Sequence, residues 1–286
     1  MGNFGITFGK IRNSKGLTQE QAYSGILKGG SRTAFENGDS DISAMKLYAL
    51  LKNVGMTFEE FEYIHHQYTL PENRRIWDKA ISLYNNNDVK ALRRLLVEEG
   101  SKYKHNIYNE LDYITLKSMA ATISASDGLS KTEKQKIISH LELVYNWTTY
   151  ELVLFSNNLN NFDIKTVKKF MDLIDRRTNF YHAIPRHKEL VTQMYLNIIS
   201  VLLEHNDLER AISTRNKVAD LISDADIPKK ITFHFLTGAI DCLRGRKDVG
   251  DPKMLETIAS LRVFGCHKIA DSYQASYDKL LKMLED

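Results

Sequence analysis

Residues 17–38 have the sequence LTQEQAYSGILKGGSRTAFENG, and this stretch decides the fold of the N-terminal part of the chain. Thr18 and Gln21 have the spacing of a capping box, in which two side chains satisfy free backbone N–H groups at the start of a helix. That helix is short, because Ser24-Gly25 follows it. A second helix ends at Asn37-Gly38, a pair that favours the left-handed conformation of a helix stop. The stretch therefore predicts two short helices joined by a turn that contains glycine.

Three further short helices are predicted on either side of this stretch. Phe8 and Ile11 have helical spacing before it, and Ser43 and Thr57 are N-cap residues for two helices after it. Five short helices within about 65 residues, with a polar third helix that follows glycine, are typical of a helix-turn-helix DNA-binding domain. We assign this domain to residues 1–67.

The same residues resemble a known class of regulators. The motifs Leu17-Thr18-Gln19-Glu20-Gln21, Phe35-Glu36-Asn37-Gly38 and Gly55-Met56-Thr57-Phe58-Glu59-Glu60-Phe61 resemble the Cro/repressor-type (XRE) helix-turn-helix domain. The pattern Gly5-x-Thr7-Phe8-x-x-Ile11-Arg12-x-x-Lys15-Gly16-Leu17-Thr18 resembles the Rgg/GadR/MutR family in particular, and the resemblance extends over residues 5–64. It implies that the third helix enters the major groove of double-stranded promoter DNA. It also implies a homodimer and quorum-sensing control by a peptide in a Gram-positive bacterium.

Eight side chains are candidates for contact with DNA under this interpretation. Arg32 has the fork of donors that suits bidentate recognition of guanine, and Ser31 and Thr33 suit bases or phosphates. The complete set is Arg12, Lys15, Thr18, Gln19, Lys28, Ser31, Arg32 and Thr33.

Two alternatives stay open for these residues. Arg12 has an equal claim to an ion pair with Glu36 inside the domain, which would make it structural. Gly29-Gly30 stand where many relatives have ordinary helix formers, so the first residue of the recognition helix is undecided.

The distribution of glycine and proline changes near residue 70. Nine of the 15 Gly lie in the first 55 residues, whereas all 4 Pro lie at residue 71 or later. The prolines fall at or just before predicted helix starts, where a missing N–H costs nothing; they are Pro71, Pro185, Pro228 and Pro252. About eleven helices follow, in pairs that recur every 35 to 45 residues. The expected fold class is therefore all-α, with a right-handed, tetratricopeptide-like helical repeat array in residues 68–286 after the five-helix domain.

The concave side of such an array suits an extended peptide. In the predicted helix over residues 186–205, a polar stripe is formed by Gln193, Asn197, Ser200 and Glu204. An Asn or Gln side chain can pair with both the N–H and the C=O of a bound peptide. The resemblance to peptide-sensing regulators singles out Asn197, although an ordinary solvated face predicts the same stripe. Further candidates for peptide contact are Asn158, Arg186, Lys230, His234 and Thr237.

Charge and composition exclude several classes of protein. The net charge is only +3, and within the first 67 residues a basic segment of +3 in residues 1–38 is followed by an acidic segment of −3 in residues 39–67. No run approaches the roughly 18 apolar residues of a membrane span, and the N-terminus has no apolar signal core. The two cysteines have no metal or redox spacing, and His65-His66 has no partner at the spacing of a ligand pair. We expect a cytoplasmic protein with no metal, no cofactor and no catalytic motif.

Two functions are consistent with these patterns. The first is a cytoplasmic, sequence-specific transcriptional regulator that is not an enzyme and that responds to a short signalling peptide in the groove of the repeat domain. The alternative is a ligand-independent helix-turn-helix regulator whose repeat array is a protein-interaction scaffold.

Overall fold

The computed structural model describes residues 3–100, 106–124, 128–178, 181 and 183–285, without the side chain of Asn73. Within these residues the regular structure is entirely helical, which confirms the predicted all-α class. None of the helices in this part of the chain is long and apolar enough to cross a membrane. The chain divides into two compact units, Met1–Asn86 and Asn87–Asp286. The domain boundary between residues 67 and 68 stays a prediction.

The N-terminal unit consists of six short helices. They are α1 (Phe4–Ser14), α2 (Gln19–Tyr23), α3 (Gly30–Asn37), α4 (Ala44–Asn53), α5 (Phe58–His65) and α6 (Glu72–Asn85). The predicted capping boxes are present at the start of α2 and α5, where Thr18 pairs with Gln21 and Thr57 with Glu60. Local sequence signals therefore set where α2 and α5 begin.

The core of this unit is aromatic, and it forces α1 close to α3. Phe8, Tyr23 and Phe35 are fully buried, with ring centroids 5.3 Å apart for Phe8 and Tyr23. A Cβ atom at Gly5 would lie 1.7 Å from the Phe35 carbonyl oxygen, so only glycine fits at this crossing.

The C-terminal unit contains ten α-helices in its described residues. They are α7 (Val89–Gly100), α8 (Ile107–Ser124), α9 (Lys131–Leu143), α10 (Thr149–Asn157), α11 (Ile164–Thr178), α12 (Pro185–Glu204), α13 (Leu208–Leu221), α14 (Ile227–Leu243), α15 (Lys247–Val263) and α16 (His267–Glu285), with a 3-10 turn at Leu159–Asn161. Together with α6, they give the eleven helices predicted after residue 70.

These helices stack in the manner of a repeat array. Neighbours in the chain pack as pairs, most closely α12 on α13 and α14 on α15. Alternate helices also touch in succession, because α8, α10, α12, α14 and α16 each contact the next member of that row. The central helix α12 is apolar on most sides, and Met194, Leu196 and Ile198 are completely buried. The row of alternate helices provides the surface on which the candidate ligand groove lies.

The predicted start of one helix is wrong. Pro252 was expected to begin a helix, but α15 begins at Lys247 and contains Pro252 in its interior. Proline removes one backbone hydrogen bond from a helix, so tertiary contacts must stabilise the turn before it. Arg246, the N-cap residue of α15, supplies one such contact through its ion pair with the buried Asp241 on α14, and Nζ of Lys253, just after Pro252, lies 2.6 Å from Oδ2 of the same residue. Pro71, Pro185 and Pro228 stand at helix starts as predicted.

Two glycines bring α14 and α15 into backbone contact. A Cβ atom at Gly250 would lie 2.4 Å from Sγ of Cys242 and 2.5 Å from the carbonyl oxygen of Gly238. The Gly238 carbonyl oxygen and the Cys242 backbone nitrogen, which would lie 2.7 Å from that Cβ atom, are backbone atoms that cannot rotate away. The first turn of α15 therefore depends on the absence of a side chain at Gly250.

We expect Gly250→Ala to lower the free energy of unfolding by about 1–3 kcal/mol, because the added methyl group has to push the two helices apart. Urea unfolding of the whole chain, followed by circular dichroism, measures this change. Gly128→Ala is the matched control, since a Cβ atom there meets no atom within 4 Å and φ is not positive. Equal stability of the two variants would contradict the close packing of α14 on α15.

Candidate DNA-binding surface and ligand groove

The helix predicted to be the recognition helix, α3, begins at Gly30, which decides the question left open by the sequence. Gly29 is its N-cap residue and has φ 53°, in the region that favours glycine. Ser31 and Thr33 are exposed on α3, while Phe35 anchors the helix in the core. The turn between α2 and α3 therefore spans residues 24–29.

Arg12 joins α1 to α3 inside the N-terminal unit. Its Nε and Nη2 atoms lie 2.5 and 2.9 Å from the two carboxylate oxygens of Glu36, and its Nη1 donates to the Leu17 carbonyl at 2.6 Å. Nε2 of Gln19 also donates to Glu36, at 3.0 Å. The structure therefore contains the internal ion pair that was the alternative for Arg12, and it directs Gln19 to the same carboxylate.

Arg32 is also held by its own domain. Its Nε donates to the Leu27 carbonyl at 2.8 Å, and Nη1 forms an ion pair with the carboxylate of Glu20. Only 13% of the Arg32 side chain is exposed, whereas the Glu20 side chain is 79% exposed. In this conformation the guanidinium lies against α2 and the preceding turn.

The other DNA-contact candidates lie on the surface of the unit. Thr18 accepts a hydrogen bond from the Gln21 N–H at 3.2 Å as the N-cap of α2, and its residue is exposed. Four more candidates are exposed: Lys28 lies in the turn, Ser31 and Thr33 lie on α3, and Lys15 is the C-cap residue of α1. They bring two cations and two hydroxyl groups, which are the groups that contact phosphates and base edges.

A groove of about 200 Å³ lies between α12, α14 and α16 in the C-terminal unit. Its apolar lining comprises Leu203, Phe235, Leu236, Ala239, Met254, Leu280 and Met283, and its polar lining comprises Ser200, Glu204, Thr232, Ser272, Tyr273, Ser276 and Lys279. We call this the α12–α14–α16 groove. An apolar pocket with a few polar groups is the usual form of a site for a small ligand.

Two contacts shape the α12–α14–α16 groove. The Tyr273 ring packs edge-on against Phe235, with centroids 4.6 Å apart, and its hydroxyl lies 2.7 Å from the hydroxyl of Thr232. Lys279 of α16 donates to Glu204 of α12 at 2.7 Å, which joins two walls of the groove by an ion pair. Both members of that pair are more than half exposed, so it is accessible to a ligand.

Part of the predicted polar stripe leads towards this groove. Ser200 and Glu204 line it, whereas Gln193 and Asn197 lie nearer the start of α12. Gln193 donates to Asn197 at 3.0 Å, and Asn197 donates to Oγ of Ser156 on α10 at 3.0 Å. The stripe therefore continues as a chain of hydrogen bonds between α12 and α10.

The structure does not bring the remaining peptide-contact candidates to the same place. Asn158 is fully buried, and its Nδ2 donates to Thr115 and to the Leu154 carbonyl, both at 2.9 Å. Its side chain therefore joins α10 to α8.

The candidates on α14 lie outside the α12–α14–α16 groove. Lys230 pairs with Asp224, and His234 lies 3.7 Å from Glu256, in a second groove between α13, α14 and α15. Thr237 donates to the Phe233 carbonyl of its own helix at 2.8 Å. Arg186 is exposed in the first turn of α12.

The sequence analysis missed the contribution of α16 to the α12–α14–α16 groove. Ser272, Ser276 and Lys279 follow one another at spacings of four and three, which is the same helical periodicity as the stripe on α12. That spacing was a detectable signal, but only the fold shows that the two helices face one groove.

The Glu36 carboxylate makes the N-terminal unit sensitive to acid. Burial raises the pKa of Glu36, but hydrogen bonds from Arg12 and Gln19 outweigh this effect and hold the pKa below its ordinary value of 4.5. Such a group stabilises the folded state above the ordinary pKa, and this stabilisation disappears as the pH falls through the folded-state pKa.

We therefore expect the protection of α1 and α3 from amide hydrogen exchange to fall more steeply below pH 4.5 in the wild type than in Glu36→Gln. Exchange measured on the whole chain, corrected for intrinsic rates, gives this comparison. Glu62→Gln, at an exposed position of the same unit, should keep the wild-type profile. Parallel profiles for the wild type and Glu36→Gln would show that Glu36 contributes nothing to acid sensitivity.

Comparison with known proteins shows which family and which solved structures this chain is similar to. The C-terminal domain of the HTH-type transcriptional regulator Rgg matches residues 93–275, which is more than half of the chain. A structure described as a candidate transcriptional regulator from Listeria monocytogenes EGD-e has a TM-score of 0.84 at 23% identity, covering 98% of each chain.

Two further solved structures have the same fold. The SHP pheromone receptor Rgg2 of Streptococcus dysgalactiae has a TM-score of 0.82 at 20% identity, covering 96% of this chain and 99% of that one. A bacterial peptide pheromone/receptor complex has a TM-score of 0.71 at 17% identity, covering 98% of this chain and 99% of that one. The match to the Rgg C-terminal domain confirms the family that the N-terminal motifs predicted, and the chain belongs to the Rgg family of HTH-type transcriptional regulators.

Proposed function

We propose that this chain is a cytoplasmic, homodimeric transcription factor whose affinity for promoter DNA is controlled by a short signalling peptide. The observation that carries the proposal is the α12–α14–α16 groove, whose lining of apolar side chains beside polar and charged ones suits an apolar peptide with a few polar groups. Two similar folds belong to a pheromone receptor and to a peptide pheromone/receptor complex, which supports the same class of ligand.

The N-terminal unit supplies the proposed DNA contacts. Lys15 and Lys28 are exposed cations that suit phosphates, and Ser31 and Thr33 are exposed on the recognition helix, where hydroxyls suit base edges. One helix-turn-helix unit contacts about half of an operator, so two copies of the chain are needed for a full site. A peptide controls such a dimer only if it binds two states with unequal affinity.

The peptide is proposed to lie along α12, from Asn197 to the groove that Ser200 and Glu204 line. A bound backbone would take over the amide bonds that Asn197 now exchanges with Gln193 and Ser156. Lys279 and Glu204 provide opposite charges at the rim of the groove for charged groups of the peptide.

We expect Ser200→Trp to abolish the response to peptide while DNA binding is kept, because the indole fills the groove from an exposed position on α12. Fluorescence anisotropy on a promoter duplex, with and without short apolar peptides encoded by the organism, measures both properties. Ser213→Trp on the exposed side of α13 is the matched control and should respond like the wild type. If no peptide changes the DNA affinity or the melting temperature of the wild type, the repeat array is better explained as an interaction scaffold.

We also expect Asn197→Ala to keep DNA binding and to lose most of the peptide response, because a bound backbone loses its amide partner. The same anisotropy assay applies. Asn216→Ala, at an exposed position of α13, is the control. A wild-type response to peptide in Asn197→Ala would show that Asn197 serves only to join α12 to α10 by a hydrogen bond.

A further inference from the structure

The placement of the recognition helix against α2 depends on few contacts. The helix α2 has only five residues, and the turn of residues 24–29 contains Gly25 and Gly29, both with positive φ. The end of α2 is fixed by Asn53 of α4, whose Nδ2 donates to the carbonyls of Ala22 and Ser24 at 3.1 Å. This leaves the first turn of α3 to be fixed by contacts of its own.

Arg32 makes the contacts that tie this first turn to α2 and to the turn. Its Nε donates to Leu27 in the turn, and its Nη1 pairs with Glu20 on α2. A bidentate contact to guanine requires two free N–H groups on the same edge of the guanidinium. Because Nε lies on one such edge and Nη1 on the other, both edges already have one donor engaged.

A second arginine shows the same arrangement within the unit. Arg12 bonds to Glu36 on another helix and to the Leu17 carbonyl just before α2. Arg32 likewise bonds to Glu20 on another helix and to a carbonyl that precedes its own helix. Each guanidinium group therefore donates to one carboxylate and to one backbone carbonyl. Together the two groups fix successive parts of the helix-turn-helix.

We propose that Arg32 is a positioning residue, which holds the recognition helix in place through Glu20 and Leu27, and that Ser31 and Thr33 make the base contacts. This inference rests on the proposed binding of DNA by α3. It differs from the expectation that the Arg32 guanidinium itself recognises guanine. The proposal gives Glu20 a role in sequence specificity, although DNA phosphates repel its negative charge.

The test on DNA uses the full chain, a randomised duplex library and one fixed duplex of arbitrary sequence. We expect Arg32→Ala and Glu20→Gln each to weaken the base preference over the whole half-site, and the double variant to be no worse than either. On the fixed duplex, the slope of log affinity against log salt should stay unchanged in Arg32→Ala. It should fall by about 0.9 in the control Lys28→Ala, which removes an exposed cation.

Three results on DNA would overturn the proposal. A fall of about 0.9 in the slope for Arg32→Ala would make it a phosphate contact. Loss of preference at a single base pair in Arg32→Ala, with Glu20→Gln unaffected, would make it a direct base contact. Tighter binding of the fixed duplex by Glu20→Gln, with an unchanged base preference, would show that Glu20 only masks a DNA-binding arginine.

A measurement without DNA separates this proposal from the proposed function. In the free protein, both Arg32→Ala and Glu20→Gln should speed amide hydrogen exchange in α3 by about tenfold, because each removes a charge-assisted hydrogen bond. Exchange in α4 and in the C-terminal unit should stay at the wild-type rate, which also reports that each variant is folded. Unchanged exchange in α3 would refute positioning by Arg32 even if the wild type selects an operator. Faster exchange without any selected operator would instead refute DNA binding alone.

Discussion

Both units of this protein depend on helices that approach more closely than side chains permit. In the C-terminal unit, Gly238 and Gly250 allow the backbones of α14 and α15 to touch. In the N-terminal unit, Gly5 allows α1 to lie on the Phe35 carbonyl of the recognition helix. Such short distances between helices increase the dispersion energy and the buried apolar area. A single added methyl group is enough to force the helices apart. The helix α14, which forms one wall of the α12–α14–α16 groove, and the helix α3 each take part in one of these crossings.

Short helices alone do not hold the N-terminal unit together, because a helix of five to eight residues is marginal in isolation. The unit compensates with charge-assisted hydrogen bonds between helices. Glu36 accepts hydrogen bonds from Arg12 and Gln19, and Glu20 forms an ion pair with Arg32. Each of these carboxylates connects segments that are adjacent in space but separated in the chain. The arginine and glutamine side chains in these bonds suit contact with phosphates, but here they form hydrogen bonds inside the unit.

The sequence predicts the helices well and the site only in part, for physical reasons. Capping boxes such as Thr18 with Gln21 are local, so the helix starts they mark were predictable. The start of α15 was not, because Gly250 and Lys253 pack on α14 and extend the helix ahead of Pro252. Periodicity gave the polar side of α12, but nothing local shows that Lys279 of α16 reaches Glu204. The direction of the Arg32 side chain likewise depends on a neighbouring helix.

The pairing of both glutamates in residues 3–38 with arginines has a consequence for the search for an operator. The exposed cations of this segment are then lysines, Lys10, Lys15 and Lys28. A protein with few phosphate contacts binds arbitrary DNA weakly, and its affinity depends less steeply on salt. A chromosome offers about a million or more competing sites, so weak retention there leaves a larger share of the molecules free in solution.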